Sequence, residues 1–324
     1  MAEQTLLITG ATGLVGSNLC VLARKKGYRV RAMVRSSQDF APLQRADVET
    51  VIGDITDLDS VLRAAQGTDG IIHTAAVLGG TWSKATSEDF WNANYYGTVN
   101  VMEAGRQAGV RRVVDLDTLA ILDWRETITE RSCIAAIQDG DSGYVAAKRA
   151  SYYEGMHRAS RGQDIVFLTP AGIYGPGLFV ERALHPTSFS GTLTEALNGR
   201  LESYINLRLL WAYSEDVAAT ALAAFERGSR GARYLACGRP EDACTLAQLC
   251  NVAAELAGVS HRVIDLDIAS GGKQAGTMAK LAERKYADPI MNSTVTKTAL
   301  GVAPIAVREG LARTVAWLRQ NGKI

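Results

Sequence analysis

Through the first half of the chain, short unbroken apolar runs alternate with longer stretches in which apolar positions return every three or four residues. The runs at 5–9, 29–34, 49–55, 70–75, 112–116 and 165–168 have the length and β-branched content of strands buried on both faces. The stretches at 14–27, 58–66, 87–108 and 142–160 have helical length and period, with Gly27 and Gly109 standing where helices stop. This alternation predicts an α/β fold: a Rossmann-type doubly wound parallel sheet with helices on both faces.

Beyond residue 170 the pattern loosens into a Gly- and Pro-containing segment, 171–186, and then into helical stretches that do not continue the alternation. The expected division is a dinucleotide-binding Rossmann domain at 1–170 and a smaller, mainly substrate-binding region at 171–324. Residues 216–227 and 245–257 read as helices and 232–236 as a strand able to rejoin the main sheet, so segments near 205–240 return to the first domain. The glycine-rich stretch 270–276 reads as a mobile surface loop.

Composition narrows the function classes. The 324 residues are 47% apolar, enough for a large core, and 35 basic against 34 acidic residues leave a formal charge of +1. No broad basic surface favours nucleic acid. The start reaches an apolar strand without a basic leader, and no apolar run approaches the roughly 18 residues that span a bilayer, so a cytoplasmic protein without a membrane partner is expected. Cys20, Cys133, Cys237, Cys244 and Cys250 are odd in number and scattered, and His73, His157, His185 and His261 form no pair at metal-ligand spacing; no metal is expected.

Gly10, Gly13 and Gly16 lie between the first strand and an apolar helix. Glycines there permit a tight turn and a close backbone approach to a pyrophosphate, while the helix N-terminus offers free amides and a partial positive charge. Gly10, Thr12, Gly13, Leu14, Val15 and Gly16 are therefore assigned to a dinucleotide. The second strand ends in Val34, Arg35, Ser36 and Ser37, where an NAD-selective protein carries an acidic group for the ribose hydroxyls. Arg35, assisted by Ser36, suits a 2′-phosphate and favours NADP over NAD; the alternative is an ordinary solvated arginine.

Tyr144 and Lys148 stand one helical turn apart on a shared face. A phenol, with a free pKa of about 10, exchanges protons poorly near neutrality, and a neighbouring cation favours its phenolate form. The pair alone is a weak motif. After five strand–helix units and a glycine turn it carries weight.

These features together resemble the extended short-chain dehydrogenase/reductases, also described as the NAD-dependent epimerase/dehydratase family. Among its branches the chain is most similar to dihydroflavonol reductase-like proteins and hopanoid-associated sugar epimerases. The resemblance covers nearly the whole chain and includes Asp54, the His73 to Ala76 stretch, Asn94, and Pro170 ahead of Gly175 and Gly177. It implies that Asp54 and Ile55 border the adenine and Ala75 the ribose. Thr74, Ala76, Pro170, Ala171 and Ile173 join the cofactor set, as do Tyr144 and Lys148. It also implies a catalytic group of Thr118, Tyr144 and Lys148, with Asn94 supporting it through hydrogen bonds. Asp117 replaces the usual hydroxyl residue beside Thr118, and Asp115 makes the strand end unusually acidic.

The implied activity is NADP(H)-dependent hydride transfer between nicotinamide and a small carbonyl or alcohol. Val77, Leu78, Trp82, Leu119, Trp124, Leu178 and Phe179 lie on loops that would converge on the nicotinamide and favour an apolar or aromatic substrate; the alternative for each is ordinary core. Two other functions compete: a sugar-nucleotide epimerase or dehydratase that recycles its cofactor, and a non-catalytic NADP-binding regulator. Relatives acting on nucleotide sugars often place an arginine where Leu209 stands, and Arg208 faces the other way on an extended segment. A homodimer formed through the 87–108 and 142–160 helices is expected from the resemblance.

Overall fold

Seven short, mostly apolar strands form the centre of a computed structural model that describes residues 4–79, 83–137, 143–267 and 291–324. They are β1 (Thr5–Thr9), β2 (Arg29–Val34), β3 (Glu49–Ile52), β4 (Gly70–His73), β5 (Arg112–Leu116), β7 (Ile165–Pro170) and β12 (Arg233–Ala236). All pair in parallel, in the order β12-β7-β5-β4-β1-β2-β3, so the chain winds outward from β1 in both directions. Burial on both faces explains why the inner strands β1, β4, β5 and β7 read as apolar runs rather than alternating ones; β3, at the edge, has no fully buried residue.

Helices α1 (Leu14–Lys25) and α9 (Ser214–Arg227) pack together in one layer. In the other, α5 (Thr98–Ala108) packs against α3 (Leu58–Ala65) and α6 (Gly143–Ser160). From the second half of the chain, β12 extends the sheet beside β7, and α9 lies across β4, β5 and β7. The remaining strands are short pairs. β6 (Ile128–Thr129) joins β15 (Met291–Asn292), β8 (Ile173–Tyr174) joins β11 (Ala212–Tyr213), β9 (Ser203–Ile205) joins β14 (Ile264–Leu266), and β10 (Arg208–Leu209) joins β13 (Cys244–Thr245).

Three of the differences from the boundaries expected of the sequence have a visible local cause. β3 stops at Ile52 because Asp54 turns the chain, its Oδ1 accepting from both the backbone N–H and hydroxyl of Thr56 at 2.9 Å. β4 stops at His73, where the Thr74 hydroxyl donates back to the Thr9 carbonyl at 2.8 Å. The helix expected over 87–108 begins as α4 (Ser87–Phe90), passes through a π-helical stretch at Trp91–Gly97 and continues as α5. Trp82 and the 270–276 stretch lie outside the described residues.

Candidate active site

The glycine turn is built by contact as much as by conformation. Gly10 has a φ of +69°, and a Cβ added to it would stand 2.5 Å from the Ala75 backbone nitrogen. A Cβ at Gly16 would lie 2.2 Å from the Gly10 carbonyl oxygen. Only hydrogen at both positions lets α1 and the end of β4 close on the turn. Gly13 differs: its Cβ direction meets only the Gly10 oxygen, at 3.2 Å, leaving the first turn of α1 open beside it. These residues fit a pyrophosphate, with the helix amides available to hold it. Leu14 and Val15 continue that first turn, and Asn18 ties the turn to the second half of the chain by donating to the carbonyls of Leu14 and Pro176 at 2.9 and 2.8 Å.

At the end of β2, Arg35 is exposed and makes no hydrogen bond or ion pair among the described residues. Ser36 caps the following turn, its hydroxyl accepting from the Gln38 N–H at 3.2 Å. Asp54 is half-buried, and the Ile55 carbonyl accepts from Asn100 at 2.9 Å. Among the later candidates, Pro170 ends β7, Ala171 is buried and Ile173 begins β8.

At the other end, the Lys148 ammonium is buried and donates to the Leu116 carbonyl at 2.7 Å, which fixes it at the C-terminal end of β5. Tyr144, one turn earlier on α6, is half-buried with its ring edge-on to Phe90 at 5.9 Å. The loop after β4 runs over it: a methyl group added at Gly79 would stand 3.0 Å from Tyr144 Cβ. Thr118 opens a short 3-10 turn, its oxygen accepting from the Ala120 N–H at 3.2 Å and its hydroxyl proton remaining available to donate.

Asn94, expected to support the catalytic group through hydrogen bonds, makes both of its side-chain hydrogen bonds to the loop after β4. Fully buried in the π-helical stretch, it spends its amide on one residue: Oδ1 accepts from the Val77 N–H at 2.8 Å and Nδ2 donates to the Val77 carbonyl at 2.9 Å. It therefore positions the loop carrying Thr74 to Gly79. The inserted residue of a π-turn, a feature frequent at functional sites, is what the α-helical period could not reveal.

Behind Asn94 lies a chain of polar groups. The Thr98 hydroxyl donates to the Asn94 carbonyl at 3.0 Å, so its lone pair receives the proton of His73 Nε2 at 3.1 Å, and His73 Nδ1 then accepts from Thr9 at 2.6 Å. Burial, with the Lys148 charge adding to it, pushes the imidazole down to about 3, so it stays neutral. Sheet register aligns Thr9, His73, Asp115, Phe167 and Arg233 across five strands on the side facing α5 and α6. Asp117 lies one strand period beyond Asp115, and both of its carboxylate oxygens are buried without a hydrogen-bond partner among the described residues. Burial pushes its carboxyl up to about 8; Asp115 adds to the rise, while Lys148 and Arg233 oppose it. Asp115 is raised by burial as well.

The expected pocket residues divide. Leu78 and Leu178 are exposed, and Val77 and Phe179 half-buried. Leu119 and Trp124 instead belong to the core, the indole N–H donating to the Leu119 carbonyl at 2.8 Å. Leu209 is buried, whereas Arg208 is exposed and donates to the Ala243 carbonyl at 3.1 Å. A cavity of about 290 Å³ between α1, α9 and residues 301–304 includes none of the candidate site residues in its wall. Among the described residues no cluster of His, Cys, Asp and Glu could hold a metal ion, and no helix is long and apolar enough to cross a membrane.

Glycine turn, parallel sheet and the tyrosine–lysine helix together define an extended short-chain dehydrogenase/reductase, a class of NAD(P)-dependent oxidoreductases. The chain belongs to the NAD dependent epimerase/dehydratase family, whose model matches residues 6–237. It is 29% identical over 341 residues to sterol demethylase protein B of Methylococcus capsulatus, spanning 99% of this chain and all of that one. It is 31% identical over 234 residues to a putative dihydroflavonol 4-reductase of Synechocystis, covering 70% of this chain and 66% of the relative. In fold it matches a nucleoside-diphosphate-sugar epimerase from Pseudomonas aeruginosa with a TM-score of 0.80 at 22% identity, over the full length of both chains.

Proposed function

We propose that this protein is an NADP(H)-dependent reductase or dehydrogenase acting on a carbonyl or alcohol of a mainly apolar or aromatic small molecule. The observation that carries the reading is the hydrogen bond from Lys148, one helical turn after Tyr144 on α6, to the carbonyl of Leu116, which ends β5 two residues before Thr118, in a chain whose glycine turn fits a dinucleotide. When bound, the reduced cofactor supplies the hydride that reaches the carbonyl carbon. Tyr144 gives its phenolic proton to the carbonyl oxygen, and the Thr118 hydroxyl donates a hydrogen bond that orients that oxygen. Lys148 uses one N–H on Leu116; two remain to hold the cofactor ribose and return a proton to Tyr144, with solvent restoring the lysine. Alcohol oxidation runs through the same groups in reverse.

Arg35, exposed beside Ser36, supports NADP as the preferred cofactor. A mainly apolar substrate is supported by the exposed Leu78 and Leu178 and by relatives named putative dihydroflavonol 4-reductase and cinnamoyl-CoA reductase. The buried Leu209 weighs against a nucleotide sugar, whose diphosphate would lose a charge-assisted partner worth roughly 1.5–3 kcal/mol. Exposed Tyr96 and Tyr153, on the helices expected to pair, support a homodimer.

Purified protein assayed with NADPH, NADH and a panel of aryl and aliphatic ketones and aldehydes tests the reading. Consumption of NADPH with stoichiometric alcohol is expected. Low-micromolar binding of a UDP- or GDP-sugar, followed by its epimerisation without net cofactor consumption, would overturn it.

A further inference from the structure

Arg182 belongs to none of the motifs above, yet it links both walls of the nucleotide end. It sits on α7 (Val180–Ala183), in the segment after β8. Its Nη1 donates to the Thr12 hydroxyl in the glycine turn at 2.9 Å, and its Nη2 donates to the two Asp39 carboxylate oxygens at 2.9 and 2.8 Å. Asp39 closes the short turn after Arg35 and Ser36, its own N–H bonded to the Ser36 carbonyl at 3.2 Å. The guanidinium also lies over the Phe179 ring, 6.0 Å from its centre.

A dinucleotide on a Rossmann sheet runs from the glycine turn to the end of the second strand, so its adenosine ribose lies between these walls. There the charges conflict. Arg35 suits a 2′-phosphate, but Asp39, four residues later, is a carboxylate of the sign that selects free ribose hydroxyls and repels phosphate. The Asp39 side chain is only 12% exposed, so solvent screens it poorly, whereas Arg182 at 43% keeps part of its guanidinium at the surface.

We propose that Arg182 determines cofactor choice: by holding the Asp39 carboxylate against the glycine turn, it cancels the negative charge beside the adenosine ribose and lets Arg35 accept a 2′-phosphate. Preference for NADP is then a property of three residues, one of them contributed from the second half of the chain. This rests on the cofactor reading proposed above.

Calorimetric titration of NADP and NAD into the full-length protein tests it without reference to turnover. Arg182→Gln should weaken NADP by about tenfold or more while changing NAD by less than about threefold, since the uncompensated Asp39 charge repels only the extra phosphate. Adding Asp39→Asn to that variant should return NADP to within about threefold of the wild type, because the repelling group is gone. Asp39→Asn alone keeps the side-chain shape, frees the guanidinium and should tighten NADP; this variant decides the matter should Arg182→Gln fold poorly. Equal weakening of both cofactors by Arg182→Gln would make Arg182 a structural tie and overturn the proposal. So would unchanged or weaker NADP binding in the Asp39→Asn protein. Wild-type protein that binds neither cofactor, or binds NAD as tightly as NADP, would instead overturn the cofactor reading beneath it.

Discussion

At the nucleotide end of the site the cations stand at or near the surface: Arg35 is exposed, and Arg182 reaches the buried Asp39 carboxylate from the rim. At the chemical end Lys148, on α6, and Asp115, Asp117 and His73, at the ends of the strands, are all buried. The same kind of side chain therefore has a different physical consequence in each place. Near solvent a charge is screened and adds little to folding, so it can be exchanged to alter which ligand is held. Inside, a charge is linked to protonation and to the stability of the whole sheet. Substitution of the exposed Arg35 at the first end should shift binding alone, and substitutions at the second should shift chemistry, pH dependence or stability.

The largest expected effect is on chemistry. Tyr144→Phe keeps the ring and its contact with Phe90 but removes the transferable proton, so kcat should fall by roughly 10²–10⁴ while NADPH affinity stays within about twofold. Lys148→Met should lower both turnover and cofactor affinity. Stopped-flow reduction of an active ketone, paired with cofactor titration, separates these cases. Near-normal turnover in the Tyr144 variant would remove that residue from the mechanism.

Next in size is the response of stability to pH. Asp117 is held up to about 8 in the fold, with Lys148, Asp115, Arg233 and Tyr152 as its charged or titratable neighbours. Unfolded, the carboxyl ionises near 3.9, so between about pH 4 and 8 unfolding releases a proton and stability falls as pH rises, by up to about 1.4 kcal/mol per unit. Asp117→Asn removes that slope. Below about pH 6.5 His73, held down to about 3 in the fold, takes up a proton on unfolding and offsets this slope, so urea midpoints measured between pH 5 and 8 should decline in the wild type relative to the variant, most plainly above pH 6.5. Parallel slopes would mean that Asp117 is already ionised in the native protein.

The smallest effect, and the one confined to binding, belongs to Arg35. Arg35→Asp should move cofactor preference from NADP toward NAD by one to two decades, the range of about 1.5–3 kcal/mol for a lost charge-assisted contact, with the melting temperature almost unmoved. A large loss of melting temperature would break the contrast between the two ends.

Much of this architecture was legible without coordinates, because its signals are local. Buried parallel strands declare themselves as apolar runs, and a glycine turn before an apolar helix as a phosphate-binding shape. The spacing of Tyr144 and Lys148 fixes a shared helical face regardless of what surrounds them. Local signals could also mislead: the period of 87–108 reads as one α-helix, and the π-turn that aims Asn94 at Val77 leaves no trace in it. For Leu119 and Trp124 the sequence left pocket and core open, and both are buried in the core.

Strand and helix identity, the glycine turn and the tyrosine–lysine pair were thus determined by the amino-acid sequence through interactions spanning a few residues. Tertiary structure alone decided which distant groups meet. Arg182 and Asp39 lie 143 positions apart, and His73 is 25 positions from Thr98, so no periodicity relates them. Sheet register set Thr9, His73 and Asp115 in one row, and the return of the chain after β8 brought Arg182 to the glycine turn. The physical reason is that a buried or poorly screened polar group is satisfied by whatever the fold brings within about 3 Å of it, and that neighbour is chosen by the packing of whole elements.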